Sequence, residues 1–344
     1  MERIGVLTGG GDCPGLNAVI RGVVRRAQEK KIKVVGIKNG WKGLVNADTM
    51  DLGPATVADI LWKGGTILGT SRTNPYKNKD DVAKVISNYK KLGLDALVAI
   101  GGEDTLGVAN KLHKENKGIN VVGVPKTIDN DLSATDFTFG FDTAVNVAME
   151  SIDRLRTTAE SHHRVMVVEI MGRHAGWIAL YSGIAGGADV ILIPEVPIDI
   201  DEVCGLIEKS HEGGKLYSIV AVAEGAQFKT GSTVVKEKEL DAFGHVILGG
   251  IGDRLAKVIE ERTKFETRVT VLGHVQRGGS PSAFDRVLGT RFGYWAMELV
   301  LAGKFGCMVS LAGTDIKEVP LEAAVGTLKT VDMKLYEMIK TFVG

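Results

Sequence analysis

Short runs rich in Val, Ile and Ala alternate with longer amphipathic stretches along the whole chain, and this alternation excludes most fold classes at once. Strands are predicted over 3–8, 34–37, 96–100, 120–124, 165–170, 190–193, 218–223 and 268–273. Helices are predicted between and after them, over 17–30, 81–92, 105–116, 144–161, 202–212, 250–262 and 283–302. The strand segments are apolar on both faces, as strands covered from both sides must be. Strand–helix alternation of this kind gives parallel sheets in a doubly wound α/β architecture. A chain of 344 residues accommodates two such domains, each with its own core. No Pro- or Ser-rich linker divides it, and the first group of βα units ends near Gly140, where a domain change is expected. The polar segment 225–238 reads as a surface excursion.

Sheets of this type bind ligands beyond the carboxyl ends of their strands, and the chain concentrates glycine there. Its 44 glycines form no linker; they recur as pairs after apolar runs, where the backbone turns tightly or approaches a ligand. The first strand runs into Gly9-Gly10-Gly11-Asp12-Cys13-Pro14-Gly15-Leu16-Asn17 before a helix. Backbone N–H groups in such a turn face an anion, and the helix N-terminus adds partial positive charge. The strand over 96–100 ends in Gly101-Gly102-Glu103-Asp104-Thr105. Asp104 or Thr105 would serve as a helix N-cap. A donor phosphate with magnesium accounts for the Gly pair and both acids, since magnesium needs only one or two carboxylates.

The next strand ends in Pro125-Lys126-Thr127-Ile128-Asp129-Asn130-Asp131. If extended, it projects Thr127, Asp129 and Asp131 to one side. One acid there can take the proton from an attacking hydroxyl while the other helps hold the metal. Basic groups for a phosphorylated sugar are available in Arg72, Arg164, Arg173 and Arg268, and in the run His274-Val275-Gln276-Arg277-Gly278-Gly279-Ser280-Pro281. The planar fork of Arg matches phosphate oxygens at two points and offsets charge developing in transfer.

The charge balance narrows the partners. Lys+Arg and Asp+Glu both number 42, so no net charge draws the chain to nucleic acid or an anionic membrane. No apolar run reaches the ~20 residues of a membrane span. The opening Met1-Glu2-Arg3 leads straight into a strand without a secretory h-region. Cys13, Cys204 and Cys307 show neither pairing nor metal spacing and are expected to be buried thiols of a cytoplasmic protein. A dehydrogenase is disfavoured, because the first turn lacks the spaced GxGxxG form and Lys38-Asn39, not an acid, follow the second strand.

In order and approximate spacing, these segments resemble the phosphofructokinase family over essentially the whole chain. The resemblance implies two Rossmann-like domains with parallel-rich sheets and the active site in the cleft between them. The donor domain would comprise 1–140 with about 276–326, and the fructose 6-phosphate domain 141–275 with about 327–344. It further implies Asp129 as general base for the sugar 1-hydroxyl, Glu103 and Asp131 around Mg2+, and Thr127 as a phosphate contact. Arg173 would stabilise the transferring phosphoryl group. Gly10, Gly11, Arg72, Gly102, Glu103, Asp104 and Lys126 would line the donor site. Met171, Gly172, Glu224, His274 and Arg277 would hold fructose 6-phosphate. Arg164 and Arg268 would reach the sugar phosphate of a neighbouring subunit, which implies a homodimer or homotetramer. An inactive regulatory paralogue is disfavoured by the intact Asp129, Asp131, Thr127 and Arg173.

Two departures from the ATP-dependent pattern fall in the donor site. Asp104 and Lys126 both stand where ATP enzymes usually carry glycine, and both resemble the pyrophosphate-dependent branch. Asp104 puts negative charge where the remainder of a nucleotide would pass. At ~4 Å two like charges repel by about 4 kcal/mol at an effective dielectric near 20. Lys126 supplies a point charge for a donor with no nucleoside to grip. Pyrophosphate is therefore the expected donor and ATP the alternative; Trp41, where an adenine-stacking aromatic is common, is neutral between them.

Arg21, Arg25 and Arg156 match basic positions of the bacterial effector site, but Pro54, Gly213 and Leu216 replace three other cations there. A phosphate pocket that loses three cations binds a dianion weakly. The expected outcome is a fructose 6-phosphate saturation curve that phosphoenolpyruvate leaves unchanged. A curve turned strongly sigmoidal in initial-rate assays would contradict it.

Overall fold

The structure, a computed structural model, describes residues 1–229, 250–339 and 341. From residue 230 onward, the expected excursion over 225–238 lies outside the described residues. The chain begins with β1 (Arg3–Thr8), α1 (Leu16–Glu29), β2 (Lys33–Ile37), α2 (Trp41–Asn46) and β3 (Thr49–Leu52). Next come α3 (Asp81–Lys91), β4 (Ala96–Gly101), α4 (Glu103–Lys114), β5 (Val121–Pro125) and α5 (Phe141–His162). Then follow β6 (Val165–Ile170), α6 (Trp177–Ala185), β7 (Val190–Leu192), α7 (Ile200–Glu212), β8 (Ser218–Ala223), α8 (Ile251–Thr263) and β9 (Thr267–Val271). The chain ends with α9 (Ala283–Leu301), β10 (Cys307–Ala312), β11 (Asp315–Pro320), α10 (Leu321–Ala324) and α11 (Met333–Ile339).

Two units result. The first comprises Met1–Ile128, Leu132–Thr143 and Arg277–Leu328, and the second Asp129–Asp131, Ala144–Gln276 and Lys329–Gly344. The first is built on a sheet of order β11-β10-β5-β4-β1-β2-β3, the second on β7-β8-β6-β9. Every pairing is parallel except those of β3 with β2 and β11 with β10, at the two edges of the larger sheet. These edge strands alternate buried and exposed residues or are largely exposed, so their sequences carry no continuous apolar run to announce them. Helix α6 escapes sequence reading for the opposite reason: Trp177-Ile178-Ala179-Leu180 is apolar all round and buried, with no amphipathic period.

The central strands β4, β5, β6 and β8 are buried at every residue. In the first unit Leu7, Ile37, Trp41, Leu97 and Leu106 form one core with Val85 and Tyr89 from α3. In the second, Val165, Val167, Val220 and Val222 meet Leu255 and Ile259 of α8. Helices α1 and α9 cross in backbone contact. A Cβ on Gly22 would stand 2.7 Å from the Thr290 carbonyl oxygen, and one on Gly293 would overlap that of Val19.

The start of α9 is locked to the start of α5 within the first unit. Ser282 caps α9 by accepting from the Asp285 N–H and donates to Asp142 Oδ2 at 2.5 Å. Asp285 is fully buried, and its Oδ2 accepts from the Thr143 N–H at 2.8 Å and the Thr143 hydroxyl at 2.5 Å. Burial pushes this carboxyl up from 3.8 to about 6, against the hydrogen bonds that pull it down.

A raised carboxyl pKa means that the native state keeps a proton the unfolded chain has already released. The stabilisation from Asp285 is therefore full below about pH 4 and declines as pH rises through 6. Asp285→Ala strands both Thr143 donors and should cost about 2–3 kcal/mol near pH 4. Urea unfolding at several pH values should show that gap shrinking between pH 4 and 7.

Candidate active site

In the first unit the connection from β1 runs to β2 on one side, while β4 pairs on the other. The carboxyl ends of β1 and β4 thus form a topological switch point, where open α/β sheets leave a crevice for ligands. Both glycine turns lie there. Gly10 has φ +80° and Gly15, ahead of α1, φ +105°, conformations that side chains rarely adopt. The Gly9 N–H donates to the Ile100 carbonyl at 2.9 Å, and the Gly10 N–H to Ser71 at 3.0 Å. Thr70 Oγ1 donates to the Gly10 carbonyl at 2.5 Å, which brings the loop bearing exposed Arg72 to the same end. Asn17 secures that loop further back, accepting from the Ile67 N–H and donating to the Lys63 carbonyl.

Lys126 is only 4% exposed, yet its ammonium donates to the Gly11 carbonyl at 2.5 Å. A Cβ on Gly10 would stand 3.3 Å from Nζ, so the amine packs closely over this glycine. Arg277 enters from the start of the third segment of this unit and donates to the Asp12 carbonyl at 3.2 Å; a Cβ on Gly11 would reach its guanidinium at 2.8 Å. Two cations therefore border the Gly-rich turn.

The expected N-cap at Asp104 or Thr105 is not formed. Helix α4 starts earlier, with the extended Gly102 as the single residue between it and β4. Glu103 and Asp104 lie exposed in its first turn, where carboxylates suit the positive helix end. Trp41 takes no position from which to stack on a base. It is 2% exposed, packs in the core and donates its indole N–H to the Thr105 carbonyl at 3.3 Å.

The segment after β5 also departs from expectation. Extended pairing ends at Lys126, which bridges to Phe139. Ile128 and Asp129 then form a bend, and Asn130 turns left-handed at φ +51°, which Asn tolerates better than most residues. Thr127, Asp129 and Asp131 accordingly do not alternate along one strand face. Thr127 stays with the first unit, its carbonyl accepting from the Thr138 hydroxyl at 2.7 Å. Asp129 and Asp131 belong to the second, where the Asp131 carbonyl accepts from the Lys329 N–H at 2.9 Å.

In the second unit β6 is flanked by β8 and β9, and the carboxyl ends of all three carry the expected residues. Gly172 at φ +145° lets the chain double back after Met171, whose N–H donates to Gln276 Oε1 at 3.3 Å. Glu224 follows β8 with its N–H on the Ile170 carbonyl at 2.8 Å, and the Gly225 N–H meets the Gly172 carbonyl at 3.0 Å. These bonds set Met171, Gly172, Arg173 and Glu224 side by side. His274 is exposed in the turn after β9.

At the other ends of β6 and β9, Arg164 and Arg268 converge on one acid. Glu266 binds Arg164 Nη2 at 2.8 Å and also pairs with Arg268. Hydrogen bonding from Arg164, with the charge of both guanidiniums, holds the Glu266 carboxyl below the usual range. The sequence singled out both arginines but not Glu266; the spacing Glu266-Thr267-Arg268 on an edge strand was the available signal.

A family model described as phosphofructokinase matches residues 3–300. The chain belongs to the phosphofructokinase family. A Streptomyces coelicolor protein named pyrophosphate–fructose 6-phosphate 1-phosphotransferase is 59% identical over 343 residues, covering 99% of this chain and 100% of its own length. An ATP-dependent 6-phosphofructokinase of the same organism is 53% identical over 330 residues, 96% of each chain. Phosphofructokinase from Saccharomyces cerevisiae superposes with a TM-score of 0.81 at 31% identity over 99% of this chain, which spans 46% of the yeast chain. A pyrophosphate-dependent phosphofructokinase from Marinobacter aquaeolei reaches a TM-score of 0.84 at 24% identity, over 97% of this chain and 86% of that one; at that identity the likeness concerns the fold alone.

Within this phosphofructokinase fold, one of the arginines matching the effector site, Arg156, is engaged by the Gly186 and Gly187 carbonyls. Gly213 ends α7, while Leu216 is exposed.

Cys13 sits inside the Gly-rich turn, its thiol on the Phe139 carbonyl at 3.7 Å. Burial pushes it up to about 12, outweighing the nearby Lys126 and Arg277 charges. Since the thiolate is the nucleophile, iodoacetamide at pH 8 should leave Cys13 unlabelled in the native enzyme and label it after denaturation, as read by peptide mass spectrometry.

Proposed function

We propose that this phosphofructokinase transfers a phosphoryl group from pyrophosphate to the 1-hydroxyl of fructose 6-phosphate, reversibly, in the cytoplasm. The observation that carries the donor assignment is the pairing of Asp104, exposed beside Glu103 at the head of α4, with Lys126, whose ammonium borders the Gly10–Gly11 turn. A short, densely charged donor suits a cation and free amides at a helix N-terminus. A nucleotide would have to carry its further phosphate and sugar past the Asp104 carboxylate. The relative at 59% identity bears the corresponding name.

The residue roles follow the family's chemistry. Asp129 takes the proton of the sugar 1-hydroxyl as that oxygen bonds to phosphorus, and the bridging P–O bond breaks to release orthophosphate. Arg173, with Thr127 at the phosphate, offsets charge spreading over the equatorial oxygens. Met171, Gly172, Glu224, His274 and Arg277 hold the sugar phosphate, and Gly10, Gly11, Arg72 and Gly102 cradle the donor. Arg164 and Arg268 complete the site of a neighbouring copy, which makes the enzyme a homo-oligomer.

Magnesium fits the available ligands. Among the described residues no cluster of three His, Cys, Asp or Glu side chains stands ready for a metal. Magnesium bound through donor oxygens and water needs no such cluster, only one or two carboxylates, and Glu103 and Asp131 would supply them. Bound there, the ion would neutralise donor charge.

ATP use is the second reading, favoured by the 53%-identical ATP-dependent relative and by the exposure of Asp104, which leaves its side chain free to turn aside. Initial rates with fructose 6-phosphate and magnesium, with pyrophosphate and ATP side by side, decide between them. Pyrophosphate alone should drive turnover in the parent enzyme. Asp104→Gly/Lys126→Gly should lose at least about tenfold in kcat/KM for pyrophosphate and gain about tenfold for ATP. Turnover of the parent enzyme with ATP would overturn the donor assignment and leave the family intact.

A further inference from the structure

The turns at the ends of β1 and β4 both close on one side chain that no assigned role uses. Thr105 is 3% exposed, in the first turn of α4. A Cβ on Gly9 would stand 2.5 Å from Thr105 Oγ1 and 3.0 Å from Cγ2. A Cβ on Gly101 would stand 2.6 Å from both of those atoms. The two glycines therefore present bare backbone to a single branched side chain. Trp41 closes the arrangement from behind, through its indole N–H on the Thr105 carbonyl at 3.3 Å. The Gly9 N–H on Ile100 and the Lys126 N–H on the Gly101 carbonyl, at 2.9 and 3.0 Å, tie the three strand ends together around it.

We propose that Thr105 is a positioning residue whose β-branched side chain sets the spacing between the Gly9–Gly11 turn and the Glu103–Asp104 turn, with Trp41 as its anchor. The proposal rests on this end of the sheet being the donor site. The Gly9–Gly11 turn is bordered by the Lys126 and Arg277 cations and the Glu103–Asp104 turn opens the N-terminus of α4, and two such groups bind one small anion well only at a fixed separation. The requirement is one of shape: both γ atoms are in contact with a glycine backbone, so a smaller residue lets the turns close and a larger one forces them apart. Trp41, placed where the family often carries an adenine-stacking aromatic, here contributes through its N–H from within the core.

The test is a kinetic series on the full-length enzyme with magnesium. The values of kcat, of KM for pyrophosphate and of KM for fructose 6-phosphate are measured separately, with the ligand-free thermal midpoint. Thr105→Ala should raise the pyrophosphate KM about tenfold while the fructose 6-phosphate KM stays within about twofold. Thr105→Val keeps both γ positions and should bring the pyrophosphate KM back to within about threefold of the parent. Thr105→Ser, which lacks only Cγ2, should fall between them, and Trp41→Phe should raise the same constant about threefold. A Thr105→Val enzyme as impaired as Thr105→Ala would show that the hydroxyl acts on the donor directly and would overturn the spacer role. So would a lowered midpoint with both KM values unmoved. The donor assignment fails separately, on the parent enzyme, if ATP alone supports turnover; the same series is then read on the KM for ATP, with the same outcomes deciding.

Discussion

Strands β4, β5, β6 and β8 are covered on both faces along their whole length, and this confines polar chemistry to their ends. A buried strand satisfies its amides through its neighbours and leaves little room for a charged side chain; the carboxyl of Glu169 in β6 is held by the Gly252 N–H at 2.8 Å. The residues proposed for the site lie for the most part just after the strands, with Arg164 and Arg268 at the opposite ends of β6 and β9. The connection from β4 to α4 is the single residue Gly102, while that from β5 to α5 runs over 126–140.

Close approaches recur through the first unit, and glycine admits them in distinct ways. At Gly10 the missing Cβ makes room for the Lys126 amine, and at Gly11 for the Arg277 guanidinium. At Gly9 and Gly101 it admits the side chain of Thr105. At Gly22 and Gly293 it allows α1 and α9 to meet at the backbone, which brings the helix following the first anion turn against the helix anchored by Asp285 and Ser282. A side chain at Gly22 or Gly293 would meet backbone and push α1 and α9 apart, whereas one at Gly10 or Gly11 would meet only the flexible end of Lys126 or Arg277.

Charge is balanced over the whole chain and segregated locally. Lys126 and Arg277 border the glycine turn, Glu103 and Asp104 head α4, and Arg164 and Arg268 share Glu266. Each of these four cations is held by a carbonyl or a carboxylate.

The sequence by itself determined the α/β class, most of the buried strands, the glycine turns at their ends and the acids and arginines beside them. It could do so because burial on both faces leaves an apolar run, and because glycine best tolerates the φ values of Gly10, Gly15 and Gly172. The edge strands β3 and β11, the apolar α6 and the buried β10 were not read, since half-exposed or periodless segments have no pattern and Ser310 interrupts the short run of β10. The tertiary structure alone decided that the run after β5 bends at Asp129, that Trp41 faces the core, that α4 begins at Glu103, and that Glu266 joins Arg164 to Arg268. Each of these depends on contacts between residues distant in sequence or on a single backbone torsion, and local composition encodes neither.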